Sequence, residues 1–310
     1  MVLVNELSFI MSIWNQPMTK VNSKPLILNG RLVADEVLKN TVSEIELLKS
    51  QNKRIPGLAV ILMGDNPASC TYVKNKEITA KKLGIYSEVH HMQANISEDE
   101  VIKLVNSLNS NKKIDGILVQ LPLPVHIKAE KIIDSIDPNK DVDGLHPYNL
   151  GKLMRGQKTL IPCTPQGVIK ILDHYSINIS GISAVVIGRS TLVGKPLSML
   201  LLERNATITI AHSKTNNLEE LARGANLLIS AIDKPKLITK NWIKPDAVVI
   251  DIGINRISEN GTNKLVGDVD YDNVHLMCKA ITPVPGGVGP VTIAMLMSNT
   301  LKTYKERESK

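Results

Sequence analysis

The chain is poor in aromatic residues, with one Phe, two Trp and six Tyr in 310 residues. Its cores must therefore be filled by Ile, Val, Leu and Met, and a single-strand nucleic-acid binder would have few side chains on which to stack bases. Cysteine is also scarce. Cys70, Cys163 and Cys278 lie far apart with no C-x-x-C pair, which argues against a disulfide framework or a zinc site and for a reducing, cytoplasmic compartment. No stretch approaches the roughly 18 consecutive apolar residues of a membrane span. Residues 1–25 lack a basic start and contain no Arg, so they fit a signal or transit peptide poorly. They read as an N-terminal extension, with Met11 and Met18 as alternative starts. Internal repeats and low-complexity tracts are absent too.

What is present is the composition of an ordinary globular protein, long enough for two domains of about 150 residues. Lys and Arg number 37 against 30 Asp and Glu, a net charge of +7. Such a field concentrates anions, but the lysines are spread along the chain as on a solvated surface. No basic stripe, zinc motif or aromatic platform supports a nucleic-acid partner.

Apolar residues at helical spacing predict an amphipathic helix over 31–49. Short apolar runs at 57–63 and 115–120 read as strands, with helical patterns at 69–83 and 98–108 between them. A stretch rich in Pro and Gly, 137–165, reads as a loop, and the alternation then restarts. Strands are expected at 184–187, 206–211, 227–232 and 247–252, with helices at 195–203 and 218–223 and a last helix at 291–305. Runs so apolar suit strands covered on both faces, so the expected class is α/β, with parallel sheets, the second of them a doubly wound, Rossmann-like sheet.

Strand, loop and helix meet at V-I-G-R-S-T-L-V-G-K-P, where Gly188 ends the strand and Pro196 sits in the first helical turn. Glycines there let backbone amides approach a pyrophosphate at the helix N-terminus. Five residues separate Gly188 from Gly194, so the loop is not G-x-G-x-x-G, and a plain tight turn fits it as well. Ser213, 23 residues beyond Ser190, lies at the end of the next strand, where an NAD-binding fold usually carries Asp or Glu. The position here is polar and basic. Arg189, Ser213 and Lys214 suit a 2′-phosphate, which favours NADP over NAD.

Ser69 is a candidate N-cap, and Tyr72 and Lys76 are i,i+4 neighbours on one helix face. They form either a proton-transfer pair or part of a solvated lysine surface. Gln120 ends a strand, either facing a ligand or satisfied at the strand end. Asp141 and Asp143 pair in K-D-V-D-G, a motif that suits either a metal or hydrogen bonds to a heterocycle, with no His or Glu at ligand spacing to support the metal. The segment T-P-V-P-G-G-V-G-P lets backbone approach a flat ligand closely.

Together, Y-V-K-N-K, D-G-I-L-V-Q-L-P-L-P, K-D-V-D-G-L-H-P-Y-N-L-G, P-C-T-P-Q-G, V-I-G-R-S-T-L-V-G-K-P, I-D-I-G-I-N, G-D-V-D and T-P-V-P-G-G-V-G-P-V-T closely resemble one family. It is the bifunctional methylenetetrahydrofolate dehydrogenase/methenyltetrahydrofolate cyclohydrolase family, FolD in bacteria, and the resemblance covers roughly residues 26–305. It implies NADP-dependent oxidation of 5,10-methylenetetrahydrofolate, then hydrolysis to 10-formyltetrahydrofolate. It places the catalytic lysine on Lys76, with Tyr72, Gln120 and Asp143 beside it. Tyr72, Gln120, Leu121, Asp143, Pro285, Gly286 and Gly287 would hold folate, and Gly188, Arg189, Ser190, Ser213 and Ile254 would hold NADP. No metal is implied. A homodimer is, with a catalytic domain over 26–160 completed by 290–310, and a Rossmann domain over 161–289. One departure concerns the usual A-x-G-K-P after the third Rossmann strand, which here reads Ala231-Ile232-Asp233-Lys234-Pro235. Glycine there permits positive φ, which Asp tolerates less well, and a carboxylate near cofactor phosphates is repulsive. A cyclohydrolase-dominant enzyme with weak dehydrogenase activity is the alternative it raises.

Overall fold

The computed structural model describes residues 24–259 and 262–309, so most of the N-terminal extension lies outside the described residues. In chain order the first unit runs β1 (Leu26–Ile27), α1 (Gly30–Ser50), β2 (Gly57–Met63), α2 (Pro67–Leu83), β3 (Tyr86–Met92), α3 (Glu98–Ser110) and β4 (Gly116–Val119). Short helices α4 (Ala129–Asp134) and α5 (Pro147–Met154) precede α6 (Cys163–His174). The second unit runs β5 (Ser183–Ile187), α7 (Gly194–Glu203), β6 (Thr207–Ala211), α8 (Leu218–Arg223), β7 (Leu227–Ser230), β8 (Val248–Asp251), the hairpin β9 (Asn255–Glu259) and β10 (Thr262–Val266), α9 (Tyr271–Val274) and β11 (Ala280–Ile281). A 21-residue helix, α10 (Val288–Glu308), is the last element.

The strands form a three-stranded parallel sheet, β3-β2-β4, and a six-stranded parallel sheet, β1-β11-β8-β7-β5-β6. The two-residue alternation of strand side chains decides which core each residue joins. Leu58, Val60 and Leu62 of β2 and Ala184, Val186, Leu227 and Ile229 of β5 and β7 all enter one core, shared with α1, α6 and α10. Ala59, Ile61 and Met63 face a smaller core with α3, while Val185, Ile187 and Leu228 face one with α8. One face of each sheet thus contributes to the same core.

Several elements depart from the sequence-based expectations. The strand β3, Y-S-E-V-H-H-M, carries too many polar residues to stand out as an apolar run, yet it pairs with β2 over all seven positions. The stretch 137–165 is not simply a loop. It contains α5, which opens with Pro147 in its first turn, where a missing N–H costs nothing, and the start of α6. The hairpin β9–β10 is largely polar and carries no apolar run to signal it. β1 joins the six-stranded sheet through β11, so residues 26–27 pair with the second unit's strands. Among the described residues no helix is long and apolar enough to cross a membrane.

Candidate active site

The helix α2 starts earlier than Ser69. Asn66 is its N-cap, accepting from the N–H groups of Ala68 (3.0 Å) and Ser69 (3.1 Å), with proline in the first turn, and Ser69 is buried inside the helix. Tyr72 and Lys76 follow one turn apart on one face of this helix. The Lys76 Nζ donates to Gln120 Oε1 at 2.8 Å, and Gln120 Nε2 donates to the Leu121 carbonyl at 2.7 Å. Because an ammonium can only donate, the amide must present its oxygen to Lys76 and its nitrogen to the backbone. Gln120 is held at the end of β4 by its own N–H, which donates to the Ile61 carbonyl at 2.9 Å.

Desolvation pushes the Lys76 ammonium below the ordinary lysine value, and the nearby Asp143 carboxylate opposes that shift. The neighbouring Asp141 has a different task. It is buried, accepts from the His146 N–H and Asn149 Nδ2, both at 2.8 Å, and burial raises its pKa. Cys163 also stands beside this group. Burial first, and the Asp143 charge second, drive its thiol well above the usual range, so it remains protonated.

Beyond Lys76 opens a cleft of about 610 Å³ between the first two long helices and the loops after β8 and β11. Tyr72, Ile254, Pro285, Gly286 and Gly287 line it, whereas Lys76, Gln120, Leu121 and Asp143 are not on its walls. Tyr72 connects the two, sharing a helix face with Lys76 one turn on. Burial raises the pKa of its phenol, with Arg256 lowering it and Asp233 raising it, so the second unit's charges reach the first unit's tyrosine.

Gly188, Arg189, Ser190 and Ser213 are not among the residues lining that cleft. They meet at the carboxyl edge of the six-stranded sheet, where β5 and β6 pair from Ser183↔Thr207 to Ile187↔Ala211. Gly188 has φ +130°, and a Cβ there would sit 2.4 Å from the Ala231 carbonyl oxygen; one on Gly194 would sit 2.1 Å from the Gly188 oxygen. Both glycines are required by the packing of the loop itself. The Ser190 Oγ accepts from the Val193 N–H at 3.1 Å, which leaves its O–H proton to donate. Arg189, Ser213 and Lys214 are exposed.

The catalytic-domain profile of tetrahydrofolate dehydrogenase/cyclohydrolase matches residues 28–143, and the NAD(P)-binding-domain profile of the same enzymes matches residues 162–308. The chain belongs to the tetrahydrofolate dehydrogenase/cyclohydrolase family. It is 51% identical over 282 residues to the bifunctional protein FolD of a Nitratiruptor species, covering 91% of this chain and 99% of that protein. A crystal structure of bifunctional FolD from Campylobacter jejuni is similar, with a TM-score of 0.87 and 45% identity over 91% of this chain and 99% of that one. The FolD of Trypanosoma brucei, solved with NADP cofactor and inhibitor, has a TM-score of 0.90 at 35% identity, over 93% and 100% of the two chains.

Within this family fold, Asp233 occupies the left-handed region at φ +52°, the conformation that glycine adopts most readily. Its carboxylate has no salt bridge among the described residues, and burial raises its pKa, with Asp268 adding to the rise. Asn299 carries a contact that no motif signals. Its Nδ2 donates to the Val142 carbonyl at 2.9 Å and the Ile161 carbonyl at 3.1 Å, fastening the Asp143 loop to α10. Asp251 and Asp268 lie in I-D-I-G-I-N and G-D-V-D, but only the fold shows them buried together beneath the loops at the sheet edge.

Proposed function

We propose that this chain oxidises 5,10-methylenetetrahydrofolate with NADP⁺ and hydrolyses the resulting methenyl cation to 10-formyltetrahydrofolate. The observation that carries this reading is the 2.8 Å bond from Lys76 to Gln120, beside Asp143 and next to the cleft where Tyr72 faces the nucleotide-side loops. The donor set at the sheet edge suits NADP: a guanidinium and hydroxyls stand where a carboxylate would repel a 2′-phosphate. When bound, the nicotinamide accepts the hydride leaving the one-carbon bridge.

The residues of the chain supply orientation and proton control. Asp143, acceptor-only when ionised, suits the paired N–H donors of a pterin edge, and the Tyr72 ring offers a face for the benzoyl group. Lys76, desolvated, exchanges protons nearer neutrality than a surface lysine does. It takes the proton released as water adds to the methenyl carbon and returns one to the nitrogen that departs when the ring C–N bond opens, while the hydroxyl proton lost as the formyl C=O forms passes to solvent as the net proton of the hydrolysis. Gln120 holds the amine at the reacting carbon. We take the working unit as a homodimer in the cytoplasm, with folate bound by residues 26–160 and the final helix, and dinucleotide by residues 161–289.

Dehydrogenase assays with NADP⁺ and NAD⁺ test the reading. Turnover with NADP⁺ and much less with NAD⁺ is expected, and Arg189→Ala should weaken NADP⁺ by about 1.5–3 kcal/mol while leaving NAD⁺ nearly unchanged. Equal losses for both cofactors would mean that Arg189 only supports its loop. The positive φ of Asp233 favours a second form of the reading, in which cyclohydrolase activity dominates. Asp233→Gly should then improve NADP⁺ affinity by about 1–2 kcal/mol without changing hydrolysis of the methenyl substrate. Unchanged or weaker binding by that variant counts against this form.

A further inference from the structure

The loops that follow β7 and β8 converge on one carboxylate. Asp268 has no solvent exposure and accepts four hydrogen bonds: from Ser230 Oγ (3.0 Å), the Ile232 N–H (2.9 Å), the Lys234 N–H (2.8 Å) and Asn255 Nδ2 (3.1 Å). A carboxylate offers about four lone-pair sites, so its acceptor capacity is full. Three of the donors belong to the end of β7 and the segment that carries Asp233, and the fourth lies one residue beyond Ile254. Asp268 is itself held from behind. Its N–H donates to Asp251 Oδ1 at 3.0 Å, and Asp251 also takes the Gly253 N–H (3.0 Å) and the Val269 N–H (2.8 Å).

Two glycines are shaped around the pair. A Cβ on Gly253 would come within 2.2 Å of Asp268 Oδ1, and one on Gly267 within 1.8 Å of Asp251 Oδ2. Burying two carboxylates side by side opposes folding, and apolar packing would serve the core better. What the arrangement accomplishes is to fix two loops at the carboxyl edge of an open parallel sheet, where such folds bind their ligands. One of those loops places Ile254 on the cleft wall beside the glycine-rich 283–289 segment. The other keeps Asp233 in the left-handed region.

We infer that Asp268 is a positioning residue for hydride transfer, clamping the 230–234 and 252–255 loops in the one arrangement that seats the dinucleotide against the folate cleft. The inference rests on the proposed dehydrogenase reading. It implies that the two activities separate at this residue, because Lys76 and Gln120 hydrogen-bond to each other and to Leu121 and share no hydrogen bond with the clamp.

Asp268→Asn tests it in the full-length protein. The change keeps the shape but turns one acceptor into a donor facing N–H groups, so the dehydrogenase kcat/KM should fall about 10-fold to 100-fold, mostly as a rise in the KM for NADP⁺. Cyclohydrolase activity on 5,10-methenyltetrahydrofolate, assayed without cofactor, should stay within about twofold of wild type. Asn255→Ala removes a single donor and leaves the carboxylate intact, so it should raise the KM for NADP⁺ by a smaller factor and decide the matter if Asp268→Asn does not fold. A parallel loss of both activities, or a wild-type KM for NADP⁺ in both variants, overturns the inference. A wild-type protein that turns over neither folate overturns instead the functional reading beneath it.

Discussion

Lys76 is the residue whose surroundings change its chemistry most directly. Desolvation lowers its pKa, and Asp143 supplies the principal opposing charge. Replacing Asp143 by Asn removes the interaction that favours the ammonium, so the lysine pKa must fall further. The acidic limb of the cyclohydrolase pH profile should therefore move to lower pH in that variant, whatever happens to the KM for folate. A limb that stays in place or moves upward would show that another group titrates there. The pairing of Tyr72 with Lys76 follows from helical spacing, and the position of Gln120 follows from the end of an apolar run. Spacing alone could not sort Asp141 from Asp143, because two carboxylates two residues apart look equivalent until one is turned inward to the His146 N–H and Asn149. The same holds for Asp268, whose four donors come from residues up to 38 positions away.

At the scale of elements, the strands buried on both faces were legible as apolar runs, and their observed ends lie within two residues of the expected ones. The helix 218–223 and the strand 57–63 fall where their patterns place them. The elements that escaped are those whose composition answers to a neighbour and not to a core, above all polar β3 and the β9–β10 hairpin. The C-terminal helix illustrates the same point through its ion pairs. Asp115, fully buried at the edge of β4, binds Arg54 (2.6 and 3.0 Å), Arg307 of α10 (2.6 Å) and the Gly57 N–H (2.9 Å). Asp115→Ala strands two guanidiniums and an amide at once. It should destabilise the protein by about 3 kcal/mol in chemical denaturation, the low end for a broken buried pair because both arginines reach solvent. A loss below about 1 kcal/mol would place these contacts with ordinary surface pairs.

For the molecule as a whole, the unexpected feature is the shared core. Patterns along the chain signalled two α/β units, but which face of each sheet would enter the core shared with α1, α6 and α10 depends on contacts between residues hundreds of positions apart. The clamp at the carboxyl edge of the second sheet also gives the whole fold a pH dependence. Burial raises the Asp251 pKa from 3.8 to about 7, despite the backbone N–H groups it accepts. Between these values the folded chain holds a proton that the unfolded chain has lost, so stability declines as pH rises from about 4 to about 7, by up to about 4 kcal/mol. Asp251→Asn should flatten that slope in denaturant titrations across the window, whatever its effect on absolute stability. An unchanged slope would assign the dependence elsewhere.

The central claim is that one lysine in the first unit serves the folate chemistry while the second unit holds the dinucleotide. Its most direct test is Lys76→Ala, measured for methenyl hydrolysis and, by calorimetry, for NADP⁺ binding. The account predicts that hydrolysis is abolished while NADP⁺ binds as it does to the wild type. Retained hydrolysis in that variant would contradict it.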